Sequence, residues 1–146
     1  MTTVLIFLCL QLLPSSSAIH DHDSQTGSEP DYDIALTFLE SYIDFLNHGD
    51  IEMETHDWIN KQSTVSENFK KAYTSYVDAS EFLEFDPILN AQDYPEAFDI
   101  HRKDGEYVIV KAKDWPEFKL TLKLARQGKT WLIDGCGVIN IPEDKR

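Results

Sequence analysis

Cysteine is nearly missing from this chain, and its scarcity excludes a covalent scaffold. Only Cys9 and Cys136 occur among 146 residues. Cys9 lies in an N-terminal apolar run expected to be removed, so Cys136 has no partner within the chain and no intramolecular disulfide is expected. In an oxidising compartment such a thiol is buried, reactive or paired with another chain, and burial is the usual outcome. Basic side chains are scarce too. Thirteen Lys and Arg against 26 Asp and Glu give a formal charge of -13, which excludes nucleic acid as an expected partner, because phosphate binding needs clustered Lys and Arg. No apolar run reaches the roughly 20 residues of a membrane-spanning helix. The P-loop, GxGxxG, HExxH, GxSxG and N-x-[ST] patterns are absent, so nucleotide binding, zinc proteolysis and serine hydrolysis have no motif to rest on. No cofactor and no resident metal are expected.

What is present begins with "MTTVLIFLCLQLLPSSSA". A short apolar run followed by Pro14 and small residues is the pattern of a secretory signal peptide, with cleavage expected after Ala18. The run lacks a basic residue on its N-terminal side, which departs from the usual signal. Export follows as an expectation, to a periplasm or to the medium, with no membrane span after cleavage. Residues 19–30, "IHDHDSQTGSEP", hold one large apolar residue among turn formers and read as a flexible tether. The remainder suffices for one domain, expected over residues 31–142, with 143–146 as a tail. Its acidity serves solubility in the plain reading and steers encounter with a basic partner in the other.

In "DYDIALTFLESYIDFLNHGD" the residues Ile34, Phe38, Tyr42, Phe45 and Leu46 recur at three- and four-residue steps, the stripe of an amphipathic helix. Asp31 and Asp33 suit its start, and Asn47 or Gly49 its stop through a left-handed terminal residue. A short element follows around "METHDWIN". A second long helix over "STVSENFKKAYTSYVDASEFL" places Val65, Phe69, Ala72 or Tyr73, and Tyr76 on one face, with Ser63, Thr64 or Ser66 as cap. After Pro95 the period falls to two. "FDIHRKDGEYVIVKAK" predicts a hairpin at Asp104-Gly105 and "EFKLTLKLARQGKTWLIDGCGVINI" another around Gln127-Gly128. Phe118, Leu120, Leu122 and Leu124 alternate with Lys119, Thr121, Lys123 and Ala125, so one face of the sheet should be buried and the other wet. Helices first and an antiparallel meander second predict an α+β domain, with helices packed on a curved sheet of about four strands. Gly135 and Gly137 around Cys136 predict a bulge or bend in the last strand.

Two N-terminal helices, a late meander, the closing "KTWLIDGCGVI" and the stretch "FDPILNAQDYP" together resemble a family of exported bacterial proteins with a nuclear transport factor 2-like cone fold. The likeness covers about residues 31–142. It implies a conical sheet around a pocket closed by helices, in a superfamily where many members bind ligands and a minority are enzymes. Fold alone does not fix function.

Four constellations invite chemistry. Asp86, Asn90, Gln92 and Asp93 offer oxygens that suit a hard cation, but without EF-hand spacing, and Asp86 before Pro87 equally suits a turn whose carboxylate caps nearby amides. Asp134, inside a cone that resembles ketosteroid isomerase or scytalone dehydratase, is a candidate base with Tyr42, Tyr73, Tyr76 or His101 as hydrogen-bond partners; a bulge at the flanking glycines would instead send it to solvent. Cys136 with His101 is a candidate nucleophile and base, set against a core thiol. His20 and His22 in "HDHD" could hold Zn²⁺ or Cu²⁺ weakly, or serve as spacers. The expectation drawn from these is an exported, non-catalytic binding module, monomeric or homodimeric. It takes either a small molecule in the cone, lined by Tyr42, Tyr73, Tyr76, Asp86, Asp93 and Trp131, or a basic protein partner of the inhibitor or immunity type. A small-molecule lyase or isomerase using Asp134 and His101 is the rival.

Overall fold

The computed structural model describes residues 29–146; the expected signal peptide, most of the expected tether, Cys9 and the His20–Asp23 motif lie outside the described residues. The apolar stripe of the first amphipathic segment folds as helix α1, Asp33–His48, burying Ala35, Phe38, Leu39, Tyr42 and Ile43. Asp33 supplies a negative charge to its first turn, where the helix dipole favours one. Its end differs from expectation. Gly49 is extended, with φ -64, and the reason for glycine is space: a Cβ there would collide with the carbonyl and ring of Phe45.

Helix α2, Thr55–Lys61, buries Trp58 and Ile59. Helix α3, Glu67–Asp78, is capped by Ser66, whose Oγ accepts from Phe69 N at 3.0 Å. It stops five residues short of the expected Leu83. Ser80 donates its hydroxyl to Tyr76 O at 2.8 Å, a local bond that competes with helix continuation, and Phe82 and Leu83 are left exposed at 71% and 42%.

Four strands follow, β1 Phe98–Asp104, β2 Tyr107–Ala112, β3 Lys119–Gln127 and β4 Thr130–Cys136. They form one antiparallel sheet in the order β1-β2-β3-β4, which confirms the α+β class with the helices preceding the meander. The first turn falls at Gly105-Glu106, between paired Asp104 and Tyr107. Two irregularities interrupt the ladder. The pairing Ile100 with Val110, then Arg102 with Ile109, makes His101 the extra residue of β1; Lys123 with Gly135, then Leu124 with Ile133, makes Asp134 the extra residue of β4. Such bulges bend their strand and re-aim its side chains.

The inner face carries Val108, Val110, Leu120, Leu122, Leu124, Ile133 and Cys136, joined into one core with Phe38, Tyr42, Trp58 and Phe69 of the helices. Phe38 meets Phe69 edge-on at 6.0 Å between ring centroids, so the two long helices touch as expected. The outer face is only partly wet. Residues 143–146, expected as a tail, include a single 3-10 turn at Glu143–Lys145, and Thr121 Oγ1 donates to Lys145 O at 2.7 Å. Lys145 also reaches Asp104 of β1 and the ring of Tyr107 of β2, so this segment covers part of the outer face, which explains why Thr121 is buried despite facing away from the helices.

Candidate functional site

The crossing between the helices and the sheet builds a densely bonded, part-buried polar group around Asp86. Asp86 N donates to Ala91 O at 2.9 Å, closing residues 86–91 into a loop. Within it Asp86 Oδ1 accepts from the amides of Ile88 and Leu89, both at 2.8 Å. This is the capping geometry open to an Asx residue before proline. Its other oxygen, Oδ2, accepts from Tyr42 Oη at 2.6 Å. Ile88 and Leu89 are buried, and Ile88 O accepts from Cys136 Sγ at 3.3 Å. Gly137, at φ +63, lies so close that a Cβ would overlap the carbonyls of Pro87 and Ile88. Val138 N donates to Pro87 O at 3.0 Å. The loop is thereby fixed to α1 at one side and to the end of β4 at the other.

Burial raises the Asp86 carboxyl above its ordinary value, against the three hydrogen bonds that pull it down. Burial, then the charge of Asp86, raises the Tyr42 hydroxyl well beyond its usual range and pushes Tyr73 up to about 12. The Cys136 thiol is pushed up by complete burial and then by the same carboxylate. Tyr42, Tyr73, Asp86 and Cys136 therefore form one neighbourhood, held in a low-dielectric setting that favours neutral side chains.

Asp134 occupies a second buried polar centre. The expected bulge is present, yet it does not send the side chain to solvent: Asp134 is 3% exposed. Its Oδ1 accepts from Ser66 Oγ at 2.6 Å. Its Oδ2 accepts from Asn140 Nδ2 at 3.1 Å and pairs with Lys123 Nζ at 3.1 Å. Lys123 loses by desolvation and gains more from this hydrogen bond and charge, so its ammonium is raised above its ordinary value. Ser66, Lys123 and Asn140 were not singled out in the sequence. The signal was available for one of them, since Ser66 was a candidate helix cap, but its pairing with a residue 68 positions on is a product of the tertiary fold.

The remaining candidates are dispersed. Tyr42 is fully buried and stacks among Phe38, Phe45 and Trp58 at 5.2–6.2 Å. Tyr76 is half-buried on α3, and Asp93 is exposed in the crossing. Asn90 is exposed at φ +55 and Gln92 donates to Glu84 O at 3.0 Å; with Asp86 turned inward, the oxygens proposed for a cation do not converge. Among the described residues no three His, Cys, Asp or Glu side chains group as a metal site. Trp131 stands on the β3–β4 hairpin opposite Arg126, with its Nε1 buried and without a hydrogen-bond partner among the described residues. His101 is exposed on the bulge of β1, while Cys136 is fully buried on β4 at the far edge of the sheet, so the two do not form a nucleophile and base. Five surface clefts of about 110 to 450 Å³ are lined by other residues than Tyr42, Tyr73, Tyr76, Asp86, Asp93, Trp131 and Asp134.

Charge and apolar exposure point elsewhere. Lys61, Lys70 and Lys71 are the only Lys or Arg before Arg102, and from Lys71 to Arg102 the acids Asp78, Glu81, Glu84, Asp86, Asp93, Glu96 and Asp99 have no basic residue between them. All but Asp86 are exposed. The same segment carries the exposed Phe82 and Leu83, just after α3, and Ile51 is exposed just after α1. Tyr94 Oη donates to Asn47 Oδ1 at 3.4 Å, which ties the crossing to the end of α1. Trp115, 45% exposed, lies in the β2–β3 turn, which Lys113 N joins to Ala97 O at 3.0 Å. The chain gives no match to any protein-family model, to any curated protein or to any solved structure in these comparisons.

Proposed function

We propose that this protein is an exported, non-catalytic binding module whose acidic crossing, at the ends of α1 and α3, captures a basic protein partner. The observation that carries the reading is the coincidence of an acidic segment lacking Lys and Arg with the exposed Phe82 and Leu83 within it, and with the exposed Trp115 in the turn that is hydrogen-bonded to that segment at Ala97. Apolar anchors within a charged rim are the composition of a protein interface. The acids would speed and orient encounter with a basic surface, and the apolar side chains would lengthen the lifetime of the complex. An inhibitor or immunity protein that blocks a basic enzyme fits this chemistry. A cone of the nuclear transport factor 2-like kind, filled by its own aromatics, would serve such a module as a rigid support.

Less supports the rival readings. A small molecule in the cone has to displace Tyr42 from its aromatic neighbours and its bond to Asp86, and a lyase or isomerase needs an Asp134 carboxylate that Ser66, Lys123 and Asn140 already engage. Affinity purification from the exported fraction of the source, at low and at high salt, tests the proposal. The expected result is one stoichiometric basic protein, released by salt and not retained by a Phe82→Ser, Trp115→Ser variant that keeps the wild-type melting temperature. A partner held equally well by that variant, or only acidic partners, would overturn it.

A further inference from the structure

Cations are rare in this chain, yet they converge on the outer face of the sheet. Arg102 pairs in register with Ile109, and Ile109 with Thr121. Lys111 stands directly opposite Lys119, an arrangement that costs stability because like charges face each other across the ladder. The carboxylates nearest in register are already engaged: Asp99 with Lys113 at 3.5 Å and Asp104 with Lys145 at 3.3 Å. Among the described residues, no ion pair within 4.0 Å involves Arg102, Lys111, Lys119 or Arg146.

The bulge of β1 has a specific effect here. Consecutive residues of a regular strand point to opposite faces, but His101 and Arg102 both line one cleft, of about 250 Å³, together with Ile109, Lys119, Thr121 and Arg146. Among the described residues no carboxylate side chain lines it. Arg146 is held in place by donating from Nε to Ile141 O at 3.0 Å and from Nη2 to Val138 O at 3.4 Å, and the Thr121 hydroxyl is committed to Lys145 O. Among the described residues the side chains of Arg102, Lys119 and His101 make no hydrogen bond, and Ile109 adds an apolar side chain to the same lining.

We propose that this cleft binds a compact molecule bearing a phosphate monoester. The three cations Arg102, Lys119 and Arg146 lining one cleft suit a dianion better than a monocarboxylate, and the planar fork of Arg102 matches two phosphate oxygens at once. The apolar Ile109 side chain accommodates a small organic substituent. The overall negative charge of the protein does not prevent this, because screening limits its reach to about 8 Å at physiological salt while the cleft acts at contact distance. This site lies on the opposite face of the sheet from the core and is independent of the protein-binding proposal.

The test is an NMR titration of the full chain with inorganic phosphate, phenyl phosphate and sodium acetate at constant ionic strength, with a parallel sedimentation assay on phosphatidylcholine vesicles containing phosphatidic acid. Saturable shifts are expected at His101, Arg102, Lys119 and Thr121 with both phosphates below about 10 mM, and weaker than about tenfold with acetate. Arg102→Gln, Lys119→Gln should abolish them while leaving the melting temperature equal or higher, since a repulsive pair is relieved. Binding to free phosphates alone assigns a soluble ligand, and additional sedimentation with the vesicles assigns a lipid headgroup. Absent or non-saturable shifts, equal shifts with acetate, or unchanged binding in the double variant would each refute the site.

Discussion

Asp86 receives two amides and a phenol and is still held above the ordinary carboxylate value, because removing it from water outweighs all three bonds. Between that ordinary value and the raised one, the folded chain keeps a proton that the unfolded chain has lost. Its contribution therefore favours folding in acid, declines as pH rises through the window, and is constant above it. Urea unfolding followed upward from about pH 4 should show this decline, and Asp86→Asn should flatten it; an Asn variant with an unchanged slope would assign the decline to other groups. Asp86→Ala removes the acceptor of three part-buried donors, for an expected loss of about 2–4 kcal/mol. Tyr73 adds a second window of the same sign, in which stability falls as pH rises from about 10 toward the raised value of about 12.

At the scale of elements, α3 is tied to β4 through its N-terminal cap. Ser66 closes the first turn of α3 with one hydroxyl and donates to Asp134 with the same group, while Val65 bridges to Ile133. Ser66→Ala should cost about 2 kcal/mol through the lost cap and the missing donor. A double-mutant cycle with Asp134→Asn should show coupling, whereas additive losses would mean that the two residues act separately. The elements themselves were legible in the sequence, because α1, α3 and the two hairpins each repeat their apolar residues at the period of their own geometry. The end of α3 was not, since Ser80 stops it without glycine or proline. The bulges were half legible. The glycines around Cys136 announced one in β4, but nothing in "FDIHRKD" announced the other, and neither its site nor the burial of Asp134 follows from alternation. The candidate site was read in pieces: Asp86 as a capping turn was visible from Asp86-Pro87, while its union with Tyr42, Tyr73 and Cys136 joins positions far apart in the chain.

For the molecule as a whole, acidity and architecture are segregated. Residues 31–96, which carry the helices, their connections and the crossing, hold fifteen of the 26 acids, and the sheet and the segment after it hold ten of the thirteen basic residues. Self-repulsion within the acidic part works against folding, so salt should stabilise the protein by screening. A melting temperature that rises by a few degrees between about 0.02 M and about 0.3 M salt is expected. A fall would mean that pairs such as Lys123 with Asp134 outweigh the repulsion. The position of β4 has a further consequence. The helices come first in the chain, but Ser66 and Val65 before α3 and Ile88 in the crossing are tied to Asp134, Ile133 and Cys136 of the last strand. As the chain is synthesised, the first half is therefore left without its counterpart until residue 136 has emerged, and the costs of closing these long loops are recovered only then. A polypeptide of this order is slow to commit to its native form, which keeps it threadable through a translocation pore during the interval in which export, as proposed, has to occur.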